Sequence, residues 1–110
     1  MNQRTVVRFV NGDTKSTEPD GSVIYYYSEA DTTHTTCKDG CEIYKFPNGQ
    51  IEHHYADGLK KIHFPDGTRK VIYPSGVAES VFPEGTTIKE FPEGERLVYT
   101  DSNNAIPESG

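Results

Sequence analysis

At 110 residues the chain has room for one domain, but only 33% of it is hydrophobic, too little for an ordinary core, while its seven Tyr and five Phe are more than a disordered chain would carry. The net charge of -6 argues against a nucleic-acid partner, whose phosphates need a basic surface. No apolar run approaches membrane length, no signal peptide is evident, and two cysteines are too few for a secreted disulfide scaffold, so the cytosol is the default compartment.

Glycines stand at 12, 21, 40, 49, 58, 67, 76, 85 and 94, every step being nine residues except 21 to 40. So short a fixed period is the strongest signal in the chain. In the unit from Gly67 to Gly76, six residues, "TRKVIY", read as a strand because β-branched and aromatic types dominate. The following "PSG" reads as a three-residue hairpin loop, a type I turn closed by a glycine bulge. Strands are therefore expected to begin at Arg4, Asp13, Ser22, Thr32, Cys41, Gln50, Leu59, Thr68, Val77, Thr86 and Glu95, with "SEAD" at 28–31 absorbing the irregular step. The predicted fold is all-β: a single-layer antiparallel meander of about eleven short strands, exposed on both faces, about 50 by 20 Å, without a conventional core. The glycine-glycine-x-glycine-x-aspartate pattern of a calcium β-roll is absent. Residues 1–100 form the repeat domain, and "DSNNAIPESG" at 101–110 does not continue the repeat and is expected to be a flexible tail.

Alternation along each strand and pairing across each hairpin sort the side chains onto two faces. One face, face A, carries the row Val7, Lys15, Tyr25, His34, Tyr44 and Glu52, with Phe9 and Tyr27 in the row beside it. Face B carries Ile24, Ile43, His53, Lys61, Val71, Glu79 and Lys89, with Tyr55, Tyr73 and Phe91 ending their strands there. On face A, Phe9 and Val7 stand two strands from Tyr25 and Tyr27, with the slimmer Asp13, Lys15 and Thr17 between, so a shallow trough about 10 Å wide between aromatic walls is expected. Aromatic grooves of this kind grip polyproline II segments, and Glu52, beyond His34 and Tyr44, is placed to take an arginine. The same aromatics also read as cross-strand packing that stiffens the sheet. The four histidines read as solvated strand residues, and Cys37 and Cys41, facing each other across "KDG" on face B, as two thiols, with a cross-strand disulfide under oxidising conditions as the alternative. No metal or cofactor site and no nucleophile–base pair is expected, which speaks against an enzyme. The outer strand "RTVVRF" offers an unpaired edge for self-association, guarded by Arg4 and Arg8.

The segments "DGSVIYYYSEADTTHTTCKDG" (20–40), "FPNGQIEHHYADG" (46–58) and "FPDGTRKVIYPSG" (64–76) resemble the G-box, or T-complex-protein C-terminal domain, family of centriole-assembly proteins over residues 9–95. The resemblance implies a scaffold role in centriole duplication, at the centrosome, and binding of a proline-rich segment of a STIL-type partner. It further implies a ligand face at Phe9, Tyr25 and Glu52, with Tyr27 adjacent.

Overall fold

The computed structural model describes residues 3–100 and, as backbone, 105–107. All eleven expected strands are present: β1 (Thr5–Arg8), β2 (Thr14–Thr17), β3 (Val23–Tyr27), β4 (Thr32–Thr36), β5 (Glu42–Lys45), β6 (Ile51–His54), β7 (Lys60–His63), β8 (Arg69–Ile72), β9 (Ala78–Val81), β10 (Thr87–Glu90) and β11 (Arg96–Tyr99). A twelfth, β12 (Ala105–Pro107), pairs antiparallel with β11, so the sheet runs into the stretch expected as a flexible tail; the rest of 101–110 lies outside the described residues. Strand order follows chain order from one end of the sheet to the other, and every pair is antiparallel.

The strands are mostly four residues long rather than six, and the loops explain the difference. In each repeat the residue before the turn, aromatic everywhere but at Glu18 and Cys37, donates its N–H four residues ahead, and the glycine N–H donates back to that residue's carbonyl. At the Phe64 turn these bonds measure 2.8 Å to Thr68 and 3.0 Å from Gly67, and Gly67 sits at φ 96°, the glycine bulge that the turn chemistry predicts. The residue at each end of the six is thus held by the turn rather than by the ladder.

The central turn residue adds a bond of its own. Asp66 Oδ1 accepts the Thr68 N–H at 2.8 Å, and Asp20, Asn48 and Asp57 do the same for the residues two places on. Asp and Asn have the reach for this Asx turn. Ser75 makes the bond only at 3.4 Å. The irregular loop at 28–31 closes with Asp31 at φ 48°, the one non-glycine residue with positive φ among those described. Aspartate tolerates that conformation better than most residues.

Turns along each margin stack on one another. A Cβ added to Gly76 would lie 3.0 Å from Pro92 Cγ, and Gly76 is at φ 95°. Gly76→Ala therefore combines backbone strain with a clash against a rigid ring. It is expected to lower the stability of the sheet by about 1–3 kcal/mol in urea denaturation.

No described side chain is fully buried; the most enclosed, Cys41, Asp13, Thr68 and Ser80, retain 7–8% exposure. The sheet is one layer, and its energy comes from neighbouring strands and locally favoured turns, each cross-strand pair contributing about 0.2–1 kcal/mol. Its extents of 56 × 26 × 25 Å match the predicted length. The depth exceeds that of one flat layer because the strands twist. Cys37 and Cys41 are free thiols flanking the turn between β4 and β5, and burial, followed by the neighbouring Cys37, pushes the Cys41 thiol up.

Candidate functional site: an aromatic shelf and hollow on face A

The residues singled out on face A fall in one cross-strand row. Val7 pairs with Lys15, Lys15 with Tyr25, Tyr25 with His34, His34 with Tyr44 and Tyr44 with Glu52. Phe9 and Tyr27 lie one step toward the margin on the same face, and ring contacts join them to that row. Alternation and hairpin pairing alone put these eight side chains on one surface.

The trough expected between Phe9 and Tyr25 is closed. Their rings stack with centroids 5.8 Å apart, and Tyr25 meets Tyr27 at 4.4 Å. The cause is Asp13, which is a hydrogen-bonding hub rather than the slim spacer expected from the sequence. The Tyr25 hydroxyl donates to Asp13 Oδ2 at 2.9 Å and so draws its ring back across β2. Asp13 Oδ1 accepts the Ser28 N–H at 2.8 Å, and Asn11 Nδ2 donates to Oδ2 at 3.2 Å. The Ser28 amide, joined by the hydroxyl of Tyr25 and the amide of Asn11, holds the Asp13 carboxyl below its ordinary value against the opposing effect of desolvation. Conversely, the bond to Asp13 raises the Tyr25 phenol. Phe9, Tyr25 and Tyr27 therefore make a continuous shelf, with Phe9 and Tyr27 about two-fifths exposed, and Lys15 is exposed beside it.

The open space lies two strands farther on. A hollow of about 670 Å³ is bounded by Tyr27, Thr32, His34 and Tyr44, with Glu29 at its rim. Its far wall is a stack: His34 and Tyr44 lie 4.5 Å apart and 2° from parallel, and Tyr44 also contacts Phe46 and His54. His34 Nε2 lies 2.8 Å from Glu42 Oε1, so it is a tethered wall residue rather than the solvated histidine expected from the sequence. Burial, then Glu42, raises the Tyr44 phenol.

Glu52 stands beyond this wall, at a second hollow of about 510 Å³ that also touches Phe46, Pro47 and Gln50. Its carboxylate, expected from the sequence to take an arginine, is held by neighbours on its own face. Gln50 Nε2 donates to Oε2 at 2.6 Å, and His54 Nε2 lies 2.9 Å from Oε1. The missed signal is the run "QIEHH", in which Gln50, Glu52 and His54 alternate onto one face. A carboxylate has about four lone-pair sites, so a fixed Glu52 retains capacity for a guanidinium. His53 is on face B against His63, and burial, then the charges of His63, Lys61 and Lys45, lower its pKa.

The chain is similar to known proteins in sequence and fold. Residues 38–72 match the family model for the T-complex protein 10 C-terminus. Mouse centrosomal P4.1-associated protein is 53% identical over 49 residues, 44% of this chain, and the chain spans only 4% of that protein's length. Among solved structures, the G-box domain of the microcephaly protein CPAP superposes with a TM-score of 0.92 at 45% identity, covering 96% of this chain and 69% of that one. The TCP10 domain of Danio rerio CPAP, in complex with a peptide of Danio rerio STIL, gives 0.87 at 46% identity over 97% and 59%. The SAS-4 (dCPAP) TCP domain of Drosophila melanogaster, in complex with a proline-rich motif of Ana2 (dSTIL), gives 0.89 at 32% identity over 97% and 72%. The chain belongs to the T-complex protein 10 C-terminus family, that of the CPAP G-box domains it resembles.

Proposed function

We propose that this chain is a non-enzymatic interaction module of centriole assembly, working in the cytoplasm at the centrosome, which binds a proline-rich, arginine-bearing segment of a STIL-type partner on face A. The observation that carries the reading is the line of rings from Phe9 through Tyr25, Tyr27, His34 and Tyr44, opening into a hollow and leading to a fixed carboxylate at Glu52. A polyproline II ligand is preformed, has no internal hydrogen bonds and stacks its rings on aromatic faces. The net charge of -6 favours a basic ligand. The complexes formed by the zebrafish and fly relatives support the same partner class.

Calorimetry with a peptide containing proline and arginine tests this. Glu52→Val is expected to weaken binding by about tenfold or more while leaving the sheet folded, because the lost bond is charge-assisted. Unchanged affinity in a folded variant would remove Glu52 from the site.

A second reading, a self-associating spacer, draws on the outer edge of β1, where Val6 and Val7 are 46% and 44% exposed. Arg4, expected to guard that edge, is tied to Glu18 at 3.0 Å. Oligomers that grow with concentration in sedimentation, without peptide, would favour this reading over the first.

A further inference from the structure

Five rings close alternate strands along one margin of face A: Phe9 after β1, Tyr27 on β3, Phe46 after β5, Phe64 after β7 and Phe82 after β9. Consecutive rings are two strands apart, roughly 9.6 Å. One turn of polyproline II is three residues at about 3.1 Å each, roughly 9.3 Å. A polyproline II chain laid across the strands along this margin would therefore present the same side of itself to every gap between rings. The match does not stop at Glu52.

Between Phe64 and Phe82 lies a hollow of about 540 Å³, lined by both rings with Pro65, Asp66, Thr68, Lys70 and Ser80. It corresponds residue for residue to the closed gap at the other end of the sheet. Lys15 pairs with Tyr25 there, and Lys70 pairs with Ser80 here. Thr68 follows its turn glycine as Asp13 follows Gly12. The two replacements leave this gap open. Ser80 has no ring to fold over the neighbouring strand. Thr68 Oγ1 makes no hydrogen bond to a neighbouring strand, so no polar network of the Asp13 kind draws a side chain across. Thr68 and Ser80 are the enclosed floor, at 7% and 8% exposure, between half-buried aromatic walls. This is the trough geometry that the sequence suggested around Phe9, displaced to the far half of the sheet.

The charge also continues. The turns on this margin, 10–12, 28–31, 47–49, 65–67 and 83–85, contain Glu29, Asp31, Asp66 and Glu84 and no lysine or arginine. Lys70 is the one cation lining the hollow.

We infer that the Phe64–Phe82 gap is a second polyproline-binding site, occupied by later turns of the same proline-rich, basic segment that face A takes near Tyr27. The inference rests on the reading of face A as a proline-binding surface. The two hollows are four strands apart, roughly 19 Å, which about six residues of polyproline II span. A ligand with prolines every third residue reaches both in register.

Two synthetic peptides test this by calorimetry: one of about eight residues, and one of about fifteen with prolines every third position and arginine between. The long peptide is expected to bind about tenfold more tightly than the short one. Phe82→Ala should abolish most of that gain and leave the short peptide within about twofold of its original affinity. Ser80→Tyr keeps both walls and fills the gap as Tyr25 fills its own, and it should have the same effect. Amide shifts at Thr68 and Ser80 should respond to the long peptide alone. Equal binding of the two peptides, or a gain insensitive to both variants in folded protein, would overturn the second site while leaving the first intact. Binding of neither peptide would overturn both.

Discussion

Asp13→Ala is expected to lower the melting temperature by about 10 °C or more, the largest effect of any single substitution near the aromatic shelf. The residue is 8% exposed and accepts from the Ser28 amide, the Tyr25 hydroxyl and the Asn11 side chain. Removing it leaves the Ser28 N–H without its acceptor and releases the Tyr25 ring, and such losses exceed that of an ordinary surface hydrogen bond. Differential scanning calorimetry checks the size of the effect, and its pH dependence checks the cause. The folded carboxyl titrates below its ordinary value, near 3.8, because the bonds favour the charged form. Its contribution is therefore full above that value and fades as the pH falls through the folded pKa. The gap between parent and variant should be constant at neutral pH and shrink on acidification below about pH 4. A gap that persists unchanged in acid would mean that Asp13 acts through packing rather than through its charge.

Tyr25→Ala is expected to weaken the proline-rich peptide by about 10- to 100-fold in calorimetry, the range for an aromatic anchor at the centre of a contact. Tyr25 is the middle ring of the shelf, touching Phe9 on one side and Tyr27 on the other. Its loss separates the two remaining rings and reopens the gap over Asp13. Tyr25→Phe separates the ring from its hydroxyl. If the hydroxyl serves to hold the ring in place through Asp13, the phenylalanine variant should fall between the parent and the alanine variant. Binding by Tyr25→Ala equal to that of the parent would leave the shelf without a role in recognition.

The fold was legible because the repeat sets the register. Nine residues divide into a strand and a three-residue turn whose chemistry admits little else, so one misplaced unit would have shifted every later pair. The pairing from Val7 to Lys15 through Tyr44 to Glu52 follows from that count alone. β12 is not legible in the sequence because the turn signature that marks the other strands is missing before it. What period two could not reveal is how side chains lean once they share a face. Tyr25 bends toward Asp13 because a carboxylate lies within reach of its hydroxyl, and Glu52 is held by neighbours two residues away on its own strand. Both are competitions among polar partners on a wet surface, settled by side-chain length and hydrogen-bond geometry. The gap at Phe64 and Phe82 is open because Thr68 and Ser80 stand where the equivalent unit has Asp13 and Tyr25.

The alternation of margins constrains how such a chain can change in length through evolution. Phe64 ends its strand on face A at one margin, whereas Tyr55 and Tyr73, nine residues before and after it, end theirs at the other margin and on face B. Gain or loss of a single nonapeptide would move every downstream ring to the opposite side of the ribbon. Duplication or deletion of two units together would preserve the pattern, so a lineage that keeps one side for recognition is expected to vary by eighteen residues at a time.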